Sequence, residues 1–441
     1  MKHKKRLAIA GVAMAATLTL IGCGTPAGPS QEGEIVGREI SWLLSRPADG
    51  GIITVVKEIA DEYAETHPGF ALNLVTTPDR PSYLQKLETL AAADQLPEFF
   101  DTDATPFTRK LVDQGKLVDV EALLKDLDIY DDFRPLALDY QRFDDGSLYM
   151  VPFEFEMEFF WYNTALFEQA GVTVPETLDD FADLCGPLRD AGVIPFALDG
   201  QDGWPLARYM SYQPFRLAGP DYLNELKRAE VELSDEVGTH ASEWLAELGS
   251  SGCFAEGFSS QGYTDARDLF TSGQAAVYQI GTWELAALTS PDLPEGVKGN
   301  IDFFTLPTVE GAVTADNDYT VVSGIGMGIS QKAFDPLVED FLKFLLSEYS
   351  DRIVETGHMS PIAGSDVVIP EGASELYARA LAEVDNLGDE TAFPWDTQLD
   401  PTTNSRLQQD LVLLVQGEIT PEQFTKTIDA TLAENAPKFF D

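Results

Sequence analysis

The chain has 441 residues, 44% of them hydrophobic, enough to bury a sizeable core spread over two or more lobes. Its formal net charge is -45, from 74 acidic and 29 basic side chains, so nucleic acid and anionic lipid surfaces are both repelled. His67, His240 and His358 stand far apart, with no cysteine or histidine at metal-ligand spacing, and no Gly-x-x-x-x-Gly-Lys loop exists; neither a zinc site nor any other cofactor is expected.

Lys2, Lys4, Lys5 and Arg6 precede an uncharged run, Leu7 to Gly22, that is too short to span a bilayer comfortably as a helix. That is the layout of an export signal. The run ends in Leu20-Ile21-Gly22-Cys23, which resembles the lipobox of bacterial lipoproteins. Residues 1–22 are therefore read as a cleaved signal peptide and Cys23 as the lipid-bearing residue that then leads the chain. Residues 23–37, with Gly24-Thr25-Pro26-Ala27-Gly28-Pro29-Ser30, cannot bury a core and read as a flexible tether. The expected location is the extracytoplasmic face of the cell membrane, held there by the lipid alone.

Ile40 to Leu44 reads as a short buried strand, and from Gly51 the residues Ile52, Val55, Val56, Ile59, Ala60 and Tyr63 follow helical spacing until His67-Pro68-Gly69. Ala71 to Val75 is the next strand, Tyr83 to Ala93 a helix, and Phe99-Phe100 a third strand. Strands alternating with helices predict a parallel sheet covered on both faces. Ligands of such sheets gather beyond the carboxyl ends of the strands, which nominates Ser45 to Asp49 and Asp101 to Thr105.

Further along, Ala165 to Ala170, Thr177 to Ala191 and Ala241 to Leu248 have helical spacing, whereas Ala275 to Ile280 and Tyr319 to Ile329 read as strands. Phe153 to Phe159 alternates strictly, so on one strand Glu154, Glu156 and Glu158 share a face; that face needs water or a hydroxyl-rich ligand to tolerate three like charges. Gly324-Ile325-Gly326-Met327-Gly328 lacks nucleotide-loop spacing and reads as close backbone packing. Cys185 and Cys253 are the cysteines besides Cys23, and in an oxidising compartment they form either a disulfide or two buried thiols.

A series of local patterns then accumulates: Tyr149-Met150-Val151-Pro152, Phe160-Trp161-Tyr162-Asn163, Leu166 to Val172, Pro175-Glu176-Thr177, Phe270 to Ala276, Gly281-Thr282-Trp283-Glu284, Leu306-Pro307-Thr308, Ser323 to Gly328, Phe341 to Leu345, a late Trp395, and Gly417 to Glu422. In this order the chain, from about residue 38 to its end, resembles the extracellular sugar-binding proteins of ABC transporters, of the maltose-binding type. The resemblance implies an α/β fold of two lobes, like the periplasmic binding proteins, with crossing hinge strands and a ligand cleft between the lobes. One lobe would comprise 38–150 plus 318–360 and the other 151–317 plus 361–441, with crossovers near Pro152, Ala315 and Pro361. It also implies a monomer whose partners are an oligosaccharide and the permease subunits of an importer.

A pyranose offers an apolar C–H face and a rim of hydroxyls, so it asks for flat aromatic rings and planar hydrogen-bonding groups. Trp283 and Trp395 match sugar-stacking positions of the family, and Trp204 lies in a loop-like Asp202-Gly203-Trp204-Pro205. Asp101 and Asp103 match hydroxyl acceptors, but Thr102 replaces the aromatic of the maltose-type protein, which speaks against a maltodextrin. Glu154, Glu156, Arg46 and Asp49 complete the candidates. The alternatives are a surface carbohydrate-binding adhesin and a glycoside hydrolase, whose paired carboxylates must straddle a glycosidic bond. Adjacent same-face glutamates do not do that, so no catalytic residue is assigned.

Overall fold

The computed structural model describes residues 35–440 apart from 47, 49, 78, 322, 363–373 and 389. The export signal, Cys23, most of the tether and Asp49 therefore lie outside the described residues. One compact unit runs from Val36 to Asp441, built on two principal sheets.

The strands in chain order are β1 (Glu39–Leu44), β2 (Ala71–Thr76), β3 (Phe99–Thr102), β4 (Met150–Pro152), β5 (Glu158–Asn163), β6 (Ile194–Ala197), β7 (Ala275–Gly281), β8 (Ile301–Phe304), β9 (Tyr319–Thr320), β10 (Gly326–Ile329) and β11 (Thr391–Ala392). The first sheet has the order β2-β1-β3-β10-β4, and the second β6-β7-β5-β8; β9 and β11 form a small parallel pair. β2, β1 and β3 are parallel, as the alternation of strands and helices predicts, whereas β10 runs antiparallel to both β3 and β4.

The helix Gly51–Thr66 buries Ile52, Val55, Val56, Ile59, Ala60 and Tyr63 on the first sheet. The next helix starts at Arg80, ahead of Tyr83, because the Asp79 carboxylate accepts the Ser82 N–H as an N-cap and Pro81 suits a first turn. Thr177 to Ala191 is two helices, Leu178–Asp183 and Cys185–Asp190, because Pro187 has no N–H for the carbonyl of Asp183. Tyr319 to Ile329 is likewise two short strands in different sheets, parted where Gly324 takes φ 82°.

Each sheet has its own main core, and the first sheet also carries a smaller separate cluster of Leu43, Tyr83, Leu87, Phe100 and Leu111. Trp42, Phe99, Val151, Phe153, Met327 and Phe341 belong to the first, and Phe155, Phe159, Trp161, Phe196, Tyr209 and Leu245 to the second. The chain passes from the first to the second through residues 153–157, back through 321–325, and into the second again between Ile353 and Met359, just before Pro361, where Met359 is bridged to Phe155. The return lies beyond Ala315 because Tyr319 is still rooted in the second core, where its hydroxyl donates to the Glu158 carbonyl at 2.6 Å.

Phe153 to Phe159 is accordingly not one strand. Phe153 packs in the first core, Phe155 in the second, and only from Glu158 does the chain pair as β5. The glycine-rich stretch packs tightly, as expected: a Cβ on Gly328 would meet the Phe100 ring at 2.7 Å.

Cys185 and Cys253 are joined in a disulfide. It clamps the helix Cys185–Asp190 beside β6, whose Phe196 N–H donates to the Cys253 carbonyl at 2.9 Å. Replacing both cysteines with serine should cost about 2–4 kcal/mol of unfolding free energy. Urea titration under non-reducing conditions measures this, and an unshifted midpoint would show that the bridge does not stabilise the fold.

Candidate functional site

The carboxyl ends of β1 and β3 lie side by side because the two strands are parallel neighbours, Trp42 opposite Phe99 and Leu43 opposite Phe100. Asp101 on β3 thus reaches the turn after β1. Its carboxylate accepts from Trp42 Nε1 (3.2 Å), Ser45 N (2.8 Å), Arg46 Nε (3.2 Å) and Arg46 Nη2 (2.8 Å). This acceptor is spent on holding Arg46 rather than offered outward. The other edge of the guanidinium pairs with Glu154, whose Oε2 also accepts the Ile325 N–H at 2.8 Å. Burial works against the Arg46 charge, but Asp101 and Glu154 outweigh it and raise its pKa above the ordinary value.

Two residues on, Glu156 is 1% exposed. Thr282 Oγ1 donates to its Oε2, while among the described residues Oε1 has no partner. Burial first, and the neighbouring Glu154 charge second, push its pKa well above the usual carboxylate range. Glu158 goes to a third environment: Arg208 Nε lies 3.1 Å from both carboxylate oxygens and Gln279 Nε2 2.9 Å from one. The three glutamates thus do not share a face open to water; each has its own buried or half-buried niche, because they span the passage between two cores.

Arg208 joins several candidates. It pairs with Glu158 and Asp396 and lies 5.1 Å over the Trp204 ring, four residues earlier on the helix Trp204–Ala218. Across the junction, Asp103 pairs with Arg80. Its pKa is raised, first by burial and then by Glu154 and Asp101, while Arg80 and Arg208 oppose the rise. The Arg46, Asp103 and Arg208 groups, drawn from both cores, therefore form one compensated array.

Trp283 sits at its edge. The residue before it, Thr282, holds Glu156, and the Trp283 indole N–H donates to Tyr263 Oη at 2.8 Å, which in turn donates to Glu284. The indole lies over Gly281, where any side chain would collide with it, and the residue is half-buried. Trp395 is instead 3% exposed, packed 6.3 Å from Tyr222, and it is the following Asp396 that reaches Arg208. Asp199 is 2% exposed and accepts the Asp202 N–H at 3.1 Å; burial and the Asp202 charge raise its pKa to about 7.

Sequence reasoning thus nominated Arg46, Asp101, Asp103, Glu154, Glu156 and Trp204, which the structure gathers around the junction with Trp283 at its edge. It missed Arg80, Arg208, Tyr263 and Asp396. Arg208 could have been found from its four-residue spacing to Trp204 on one helix face. Among the described residues no group of three or more His, Cys, Asp or Glu side chains could hold a metal ion, and no helix is long and apolar enough to cross a membrane.

Residues 51–349 match the family described as bacterial extracellular solute-binding protein. An ABC transporter extracellular-binding protein of Pyrococcus horikoshii is 25% identical over 64% of this chain and 64% of its own length. The multiple sugar-binding protein of Streptococcus mutans is 28% identical over 49% of this chain and 51% of its own, so the match spans less than two thirds of either relative. The galactooligosaccharide-binding protein of Bacillus subtilis is 22% identical over 96% of this chain and 95% of its own. A solved chitin oligosaccharide binding protein superposes with a TM-score of 0.81 at 22% identity, covering 91% of this chain and 99% of that one, and shares the two-lobed fold.

The raised pKa of Glu156 has a stability consequence. The folded chain keeps a proton that the unfolded chain releases near 4.5, so stability falls as pH rises above that value until the folded group ionises. Glu156→Gln should abolish that part of the pH dependence. Urea titrations of both proteins at acidic and mildly alkaline pH check this, and parallel pH profiles would mean that Glu156 is not held protonated.

Proposed function

Since this chain belongs to the bacterial extracellular solute-binding protein family, we propose that it captures an oligosaccharide between its two lobes and presents it to the permease of an ABC importer. The lobes are those expected from the sequence, 38–150 plus 318–360 and 151–317 plus 361–441, with the first two crossovers shifted to the passages 153–157 and 321–325. Lipid on Cys23 holds a monomer by the tether at the extracytoplasmic face, where its own acidity keeps the domain off the anionic bilayer.

The observation that carries this reading is the pairing of Trp283, a half-buried indole oriented by Tyr263, with an adjacent array of carboxylates and guanidiniums. A sugar needs that combination: the ring stacks its C–H face on the indole while its hydroxyls exchange hydrogen bonds with charged groups already fixed in place. Pre-pairing matters energetically, because a fixed network loses little side-chain entropy when ligand arrives. The names of the relatives, which bind multiple sugars, galactooligosaccharides and chitin oligosaccharides, favour the same solute class.

A hydrolase is disfavoured by the carboxylates themselves. Glu154 is committed to Arg46 and Ile325 and Glu156 is buried on Thr282, so the two do not face each other across a space for a glycosidic bond.

A thermal-shift screen against neutral oligosaccharides should find ligands that raise the melting temperature, and Trp283→Ala should weaken the best of them about tenfold or more by calorimetry. Unchanged affinity would remove Trp283 from the site, and a panel without a single hit would remove the sugar reading. In cells, labelled palmitate should enter the full-length chain and not its Cys23→Ser variant; equal labelling would refute the anchor.

A further inference from the structure

Asp144 stands at the tip of a hairpin, closed by Arg142 bridging Leu148 and by the Phe143 N–H donating to the Ser147 carbonyl at 3.0 Å. The hairpin is rooted in the first core: Leu148 is 1% exposed within it, Arg142 pairs with Glu121 at 2.8 Å and Asp145 with Arg109. Asp144 itself, among the described residues, bonds to nothing on its own side. Its Oδ1 accepts from Lys227 Nζ and its Oδ2 from Arg228 Nη2, each at 2.8 Å.

Lys227 ends the helix Asp221–Lys227, whose Tyr222, Leu223 and Leu226 are embedded in the second core. Its side chain is only 2% exposed, against 47% for Asp144 and 32% for Arg228. The ammonium lies 5.7 Å over the Phe440 ring and 3.4 Å from Gln398 Oε1, and Asp144 supplies its counter-charge. A buried ammonium stripped of its carboxylate is strongly unfavourable, whereas the same group in water is not. The contact is therefore worth most while the hairpin and the helix are together, and the charge must be hydrated when they part.

We propose that Asp144 and Lys227, seconded by Arg228, form an electrostatic latch between the two lobes that biases the solute-free protein toward the arrangement seen here. The latch touches no candidate ligand residue. It sets solute affinity through the population of that arrangement, since a ligand that bridges the lobes binds more weakly when they spend less time together. Sequence alone hides it, because Asp144 and Lys227 are ordinary surface residue types separated by more than eighty positions.

The test is small-angle X-ray scattering of the solute-free chain. Asp144→Asn keeps the shape of the side chain and strands the Lys227 charge, so the radius of gyration should increase while the far-UV circular dichroism stays that of wild type. Adding Lys227→Met removes the stranded charge and fills its place with an apolar stem, so the double variant should return to the wild-type radius. A scattering curve for Asp144→Asn that superposes on wild type would overturn the latch. So would a double variant as expanded as the single one, because burial of the ammonium would then not be what the contact controls.

Discussion

Everything at the centre of this molecule depends on neutralising carboxylates buried where two cores meet. The chain carries 74 acidic residues against 29 basic ones, yet Asp101, Asp103, Glu154, Glu156 and Glu158 all lie at or next to this junction. A bare carboxylate there is prohibitively costly, so each has one of two remedies: a guanidinium or a proton. Arg46 serves Asp101 and Glu154, Arg80 serves Asp103, and Arg208 serves Glu158 and Asp396. Glu156, which is paired with none of them, is the one driven toward its protonated form. Arginine suits this work because its planar fork can serve two carboxylates at once, as Arg46 and Arg208 both do.

That constraint explains what was and was not legible in the sequence. β1, the helix Gly51–Thr66, β2 and β7 were readable because each stays within one sheet or the layer packed on it, so one period runs its whole length. Phe153 to Phe159 misled because its alternation is real but serves two masters: Phe153 fills one core and Phe155 the other, so the backbone turns between them and the glutamates diverge. The candidate carboxylates were found by their place after strands. Of their arginine partners only Arg46 was; Arg80 and Arg208 were not, because their ion pairs join residues 23 to 188 positions apart and no local spacing records that. The cysteines were undecidable for the same reason, being 68 residues apart.

The saturation of these carboxylates also bears on recognition. An acceptor already bonded four times, as Asp101 is, discriminates by what it positions and not by what it touches. On the proposed function Arg46, held rigid by it, is the group with donors to present. A ligand rich in hydroxyls can bond to such fixed donors and acceptors without changing any charge, whereas an anionic ligand must compete with carboxylates for guanidiniums that are already matched. On that proposed function the array favours a neutral polyol over a phosphate or an acid, and the acidity of the surrounding surface pushes the same way.

Two of the segments that join the lobes are touched by the same network. The first passage, 153–157, is tied to the return passage, 321–325, where Glu154 accepts the Ile325 N–H, and that bond sits beside Gly324 with its left-handed backbone. A Cβ at Gly324 would strike the Glu154 side chain, so the glycine is required for the two passages to lie this close. The two passages are thereby joined side by side. Glu154 also holds Arg46, so the joined passages and the Arg46 guanidinium share one carboxylate.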